Sequence, residues 1–192
     1  MTNLKDTQQW QLGQWGETHV RKWLERSGKF IVPTTCIEDG GAPALTQLLR
    51  RHVLPDFQAF GGGSGEWWEV KTKTRAVLYG ITNEWRTGID VRLWNDYRAV
   101  ERETGLPGYL AMIHREPELM LLTARMGELV PIPHSGGLAP RVWFRVDDFE
   151  RVTITPDGPE MPYIAPKTVR AWEVGRTMGA RQLPLWVGDE QS

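Results

Sequence analysis

Two strand-like runs joined by Gly61-Gly-Gly-Ser-Gly65 constrain this chain more than any other feature of its sequence. Four glycines in five residues do not continue a helix, and they supply the positive φ angles that a tight reversal needs. Val53-Leu-Pro-Asp-Phe-Gln-Ala-Phe60 before them and Glu66-Trp-Trp-Glu-Val-Lys-Thr-Lys-Thr74 after them are strand-like. The spacing predicts a β-hairpin with a five-residue loop.

Around the hairpin the hydrophobic period changes. Trp10, Gly13, Glu17, Val20 and Leu24 recur at helical spacing, which predicts a helix over 8–27 stopped by Gly28. Phe30-Ile-Val-Pro33 predicts a short strand, Glu38 to Pro43 a loop, and Leu45 to His52 one or two helical turns. A Gly- and Thr-containing connection follows the hairpin. Ile89 to Thr104 reads as an amphipathic helix, with Ile89, Leu93, Tyr97 and Val100 on its stripe and Arg92, Asp96, Arg98 and Arg102 off it. Gly105 and Pro107 end that helix. Tyr109-Leu-Ala-Met-Ile-His114 is apolar on both faces, as a central strand is. Leu119–Thr123 and Arg141–Val146 predict further strands, Val130 to Pro140 a loop, and Lys167 to Met178 a helix before a loose tail. The expected fold is α/β: a mixed central sheet flanked by helices, with C-terminal additions. Residues 1–115 form the expected core, and residues 116–192 an extension packed on the same domain.

Composition narrows the class. A chain of 192 residues, 40% hydrophobic and 24% charged, is a globular domain rather than a disordered one. Its longest apolar runs, such as Tyr109–Ile113, are far below the roughly 20 residues of a membrane span. The start, Met-Thr-Asn-Leu-Lys-Asp, has no apolar signal region. The single Cys36 excludes an internal disulfide and a Cys-based zinc cluster. The expected location is the cytoplasm. A net charge of −1 is not that of a generic nucleic-acid binder, but the charge is uneven. Residues 1–115 carry 15 Lys/Arg against 13 Asp/Glu, and residues 116–192 carry 8 against 11. Cations cluster at Lys71/Lys73/Arg75 and at Arg92/Arg98/Arg102.

The chemistry lies on the hairpin and the first helix. Glu69 and Lys71 are two apart on a strand, so they leave the same face. The hairpin brings them beside Asp56. Pairing Phe60 with Glu66 sets Asp56 opposite Val70, with its side chain on the wrong face relative to Glu69; a one-residue bulge would correct this. Glu17 lies on the apolar stripe of the first helix. Gly13 and Gly16 would let that helix approach the sheet closely. Two readings stand for Glu17: it snorkels outward at the edge of the stripe, or it faces the sheet with Asp56 and Glu69. Such carboxylates suit phosphodiester hydrolysis, because two or three of them hold one or two Mg²⁺ ions by oxygen ligation. A neighbouring lysine can act on the attacking water or stabilise charge on the phosphate. Lys73 and Arg75 are either a solvated edge or phosphate contacts, and Trp67 is either core or a stacking platform for a base.

Pro55-Asp56, twelve intervening residues and then Glu69-Val70-Lys71 resembles the signature of the PD-(D/E)xK nuclease superfamily, which includes restriction-endonuclease-like and Holliday-junction-resolvase-like enzymes. The resemblance covers about residues 8–115 and implies an αβββαβ core. It implies that Asp56, Glu69 and the Val70 carbonyl are metal ligands, with Glu17 a supporting one, and that Lys71 acts on the nucleophilic water. The implied cofactor is Mg²⁺, with Mn²⁺ able to substitute. The implied activity is a deoxyribonuclease that cuts DNA internally, of resolvase-like or phage or mobile-element type, and such enzymes are often homodimers. Exonuclease-like members carry a Gln four residues before a helical Tyr. Here Leu93 stands four before Tyr97, which speaks against that branch. Lys73, Arg75, Trp67 and Arg92 are the expected nucleic-acid contacts. The alternative is a non-catalytic nucleic-acid-binding or assembly subunit on a nuclease fold.

Overall fold

A helix of 19 residues, α1 (Gln8–Arg26), opens the structure, a computed structural model that describes residues 8–34, 44–47, 50–134 and 140–153. Gly28, at φ 81°, reverses the chain after α1 as its place in the sequence predicts. The strand β1 (Phe30–Pro33) follows. Residues 45–47 and 50–52 do not form helical turns. They belong to a two-stranded hairpin of β2 (Ala44–Gln47) and β3 (Arg50–Val53), a pairing that so short a segment makes more readily than an unsupported helix.

The strands β4 (Phe57–Gly61) and β5 (Ser64–Lys73) form the expected hairpin, with a different turn. Gly61 pairs with Ser64, so the turn is the two residues Gly62 and Gly63, both at positive φ (61° and 80°). Positive φ at both central positions is the two-residue turn whose twist matches the flanking strands, and it replaces the five-residue loop that the glycine run suggests.

The connection after β5 holds a second hairpin, β6 (Val77–Tyr79) and β7 (Glu84–Asp90), turning through Asn83 at φ 53°. The helix α2 (Val91–Thr104) starts two residues later than its periodicity implies, because Ile89 belongs to β7 and Asp90 is the cap. The Asp90 carboxylate accepts from the Arg92 backbone N–H at 2.7 Å, and Gly105 at φ 69° closes the helix. Then come β8 (Gly108–His114), β9 (Met120–Arg125), β10 (Ile132–His134), β11 (Arg141–Arg145), a 3-10 turn over Val146–Asp148 and β12 (Glu150–Val152). The strand β10 falls within the stretch 130–140 that reads as a loop. The helix expected over 167–178 lies outside the described residues.

The fold is mixed α/β. Six strands form the central sheet in the order β1-β4-β5-β8-β9-β12, with β5 and β8 its one parallel pair. Four more form a second sheet, β10-β11-β7-β6. Leu12, Trp15, Val20 and Leu24 of α1 pack on one face of the central sheet with Phe57, Trp68, Val70, Ala111 and Ile113. Trp94 and Tyr97 of α2, with Ile89, Val142 and Phe144 of the second sheet, cover the other face over Leu110, Met112 and Leu122. Every odd position of β5 therefore faces the α2 side, and every even one faces α1. The expected αβββαβ order is interrupted by the β2–β3 and β6–β7 hairpins.

Candidate active site

The two-residue turn decides where Asp56 lies. Phe57 pairs with Trp68, so continuing the register by one residue sets Asp56 opposite Glu69, and no bulge is needed. Pairing stops there, because the chain bends away from β5 over 54–56. The Val70 N–H, which points toward β4, thus loses a backbone partner, and the Asp56 carboxylate takes that place by accepting from it at 2.7 Å. In an antiparallel pair the N–H and C=O of one residue leave on the same side, so the Val70 carbonyl opens to the same gap. Asp56 sits in the plane of the sheet, where both faces feel its charge.

Glu69 is fully buried on the α2 side. Neither of its carboxylate oxygens receives a well-formed hydrogen bond. The Lys71 ammonium is in ion-pair contact with it, and the Tyr97 hydroxyl faces it from α2. Burial, and then the charge of Asp56, push the Glu69 carboxyl up to about 8 against the pull of Lys71. Asp56 is raised by burial, partly offset by Lys71 and by the Val70 N–H. Burial alone would lower Lys71, but Glu69, Asp56 and Glu17 outweigh it and hold the ammonium charged. Burial, and then Glu69, raise the Tyr97 hydroxyl, so it stays protonated.

Glu17 reaches the same charges from the α1 side. It is half-buried and accepts hydrogen bonds from Gln14 Nε2 at 3.2 and 3.3 Å. Burial, then Asp56, lift it to about 7, with Lys71 opposing. Close helix–sheet contact comes from Gly16, where a Cβ would lie 2.0 Å from Thr72 Oγ1; Gly13 has open space around it. Asp56 and Lys71 thus act on both Glu69 and Glu17, and the three acids against one lysine are an excess of negative charge that resists ionisation. Among the described residues no group of three or more Asp, Glu, His or Cys forms a ready-made metal cluster. The donor set still suits a hard divalent cation: a fully buried carboxylate, a second carboxylate, and a main-chain carbonyl on an open strand edge.

Of the four expected nucleic-acid contacts, one is buried and the other three lie on β5, just past it and on α2. Trp67 is 6% exposed and its indole N–H donates to Thr104 Oγ1 at 3.0 Å, so it offers no ring face to a base and belongs to the core. Lys73 is half-buried on the Glu69–Lys71 face of β5. Arg75 lies past the end of β5, exposed, and Arg92 is exposed on the first turn of α2. Sequence reading gave Tyr97 no part beside Glu69; the signal was a phenol on the apolar stripe of a helix that packs on a charged strand. It also passed over His114, buried on β8 next to Lys73.

No helix among the described residues is long and apolar enough to cross a membrane. No family model matches the chain, and no curated protein matches it by sequence. Among solved structures, the chain is similar to Hjc, a Holliday junction resolvase from the archaeal hyperthermophile Archaeoglobus fulgidus, at 13% identity and a TM-score of 0.45, over 68% of this chain and 86% of that one.

Proposed function

We propose that this protein is a metal-dependent nuclease that hydrolyses phosphodiester bonds in DNA, cutting internally. The observation that carries the reading is the register of the β4–β5 hairpin, which sets Asp56 opposite a fully buried Glu69 with Lys71 on the same face. A buried carboxylate is costly unless cations balance it, and the single Lys71 ammonium is shared among Glu69, Asp56 and Glu17.

Asp56, Glu69 and the Val70 carbonyl would hold a divalent ion, with Glu17 supporting from α1. Such an ion supplies polarisation of the phosphate and a water acidified for attack. The chain's own groups do the rest. Asp56 fixes the open edge of β5 through the Val70 N–H and so positions the carbonyl beside itself. Lys71 is held protonated by its acidic neighbours. It therefore acts through its charge, on oxygens that become more negative in the transition state, rather than by taking a proton. Tyr97 faces Glu69 from the α2 side and, held protonated, can donate a hydrogen bond to it.

The test is cleavage of plasmid, linear duplex, branched and single-stranded DNA, and of RNA, with Mg²⁺ or Mn²⁺, by the wild type and by Asp56→Ala. Metal-dependent DNA cleavage lost in the variant supports the reading. Binding without cleavage under every condition overturns it in favour of a non-catalytic nucleic-acid-binding subunit, the reading that the lack of a ready-made three-acid cluster would favour. Cleavage of RNA alone moves the activity to another substrate.

A further inference from the structure

Two residues beyond Lys71, β5 carries a second cation in different surroundings. Lys73 is half-buried and paired in register with His114 of β8. His114 is fully buried. Its Nε2 lies 3.0 Å from Thr87 Oγ1 of β7, and its Nδ1 has no hydrogen-bond partner. Arg141, the first residue of β11, lies close enough to Lys73 for the two charges to act on each other.

Several other cations on or beside these sheets are neutralised. Lys71 meets Glu69, Lys29 meets Glu66, and Arg86 and Arg145 share Glu84. Among the described residues no carboxylate forms an ion pair with Lys73 or Arg141. Asp90 is opposite Arg141 in the strand register, but its carboxylate caps α2 at the Arg92 N–H. Burial, then Arg141 and Lys71, lower Lys73 to about 8, while burial and then Lys73 hold His114 down to about 4 and so uncharged. The Lys73 ammonium, half-buried and unpaired beside a neutral histidine and under the charge of the exposed Arg141, is in an unfavourable position that a bound anion relieves.

We infer that Lys73 and Arg141, backed by His114, form an anion subsite that takes a backbone phosphate of the nucleic acid next to the one held at Asp56 and Glu69. The identity of that phosphate as a neighbour of the scissile one rests on the nuclease reading; the anion site itself does not. Along β5, Lys73 is roughly 7 Å past Lys71 on the same face, one side-chain repeat of the strand.

The experiment compares wild type, Lys73→Met, Arg141→Ala and the exposed control Arg102→Ala in EDTA, where nothing is cut. Fluorescence anisotropy with a short duplex over a range of KCl gives affinity and its salt slope. Lys73→Met and Arg141→Ala should each weaken binding about tenfold and reduce the log–log slope by about one, with the control unchanged. Lys73→Met keeps the aliphatic stem and removes the repulsion, so its melting temperature without ligand should equal or exceed the wild type's. Unchanged affinity and slope in both variants would overturn the subsite, as would a marked fall in melting temperature with binding lost only in proportion. A parallel arm uses inorganic phosphate and pyrophosphate. Protection of the wild type against heat by these ions, with equal duplex affinity in all four proteins, would overturn the backbone assignment in favour of a free-phosphate site. A wild type that cuts no DNA sinks the nuclease reading while leaving the salt-slope comparison to be judged by itself.

Discussion

The two faces of β5 are made by one ten-residue strand and do opposite things. Its even positions face α1. Trp68 stacks on Tyr109 at 4.7 Å and 11°, meets Trp23 edge-on at 5.7 Å and donates its indole N–H to Glu66. Val70 lies in the same apolar cluster, and Thr72 lies under Gly16. Its odd positions face α2 and the second sheet, and after Trp67 they run Glu69, Lys71, Lys73. Burying an aromatic side chain removes about 150–250 Å² from water, so the α1 face fixes the strand. That rigidity lets the other face hold charges in register where little water can reach them. The comparison teaches that the site depends on the α1 face for its geometry and on the α2 face for its chemistry, and that the two can be separated by mutation.

The sharpest separation comes from Glu69→Ala and Asp56→Ala against Trp68→Ala. Either acid variant should lose metal-dependent cleavage by at least about 10³-fold while keeping a cooperative melt, because neither group contributes apolar packing. Duplex affinity measured in Ca²⁺ should change little. Trp68→Ala should lose about 3–5 kcal/mol of stability and cut normally per folded molecule. Cleavage near the wild-type rate in either acid variant would remove both residues from the site. A Trp68→Ala protein that stays folded but does not cut would erase the distinction between the faces.

Lys71 tests the charged face from within. Lys71→Ala should lower the single-turnover rate by about 10² if its role is electrostatic. Mg²⁺ affinity by calorimetry should hold or rise, since a cation competing for Glu69 is gone. Rate and metal affinity collapsing together would make Lys71 a structural partner of Glu69 and nothing more.

How much of this was legible in the sequence follows from which residues report on their own surroundings. The α1 stripe, the Gly28 stop and the central strand 109–114 are local patterns, and a period or a glycine is enough to read them. The pairing of Glu69 with Lys71 on one face needs only the two-residue period of a strand. The partnership with Asp56 needed the turn, and four glycines in five residues hide which two make it; the alternative choice shifts the register by one and reverses the face. The β2–β3 and β6–β7 hairpins were misread because their short strands carry little periodicity and gain their stability from α2 and the second sheet. Of the subsite proposed around Lys73, the sequence offers Lys73 as a phosphate contact but not its neighbours His114 and Arg141. That subsite joins β5, β7, β8 and β11, and no local signal links Arg141 to Lys73 across the sequence that separates them.

The smallest effect belongs to Glu17, the one acid that reaches the site from the apolar side. Its carboxyl is lifted from an ordinary 4.5 to about 7, by burial first and Asp56 second. Below about pH 4.5 it is protonated in both folded and unfolded chains and adds no pH dependence. Between about 4.5 and 7 the unfolded chain has released its proton while the folded chain still holds it, so stability falls as pH rises, and above about 7 the loss is complete. Glu17→Gln removes this titration and keeps a side chain of nearly the same shape beside Gln14. Without metal, the variant should match the wild type near pH 4.5 and exceed it by about 1 kcal/mol at pH 8, a figure reduced for the group's partial exposure. Glu69, raised to about 8, tilts both proteins the same way and largely cancels in the difference. Mg²⁺ should stabilise the variant less than the wild type, because stabilisation by linkage follows affinity. Melts across pH with EDTA, repeated with Mg²⁺, decide the matter. Parallel stability curves for the two proteins, together with an equal Mg²⁺ response and full cleavage, would mean that Glu17 points into solvent and that the charged face of β5 works without help from α1.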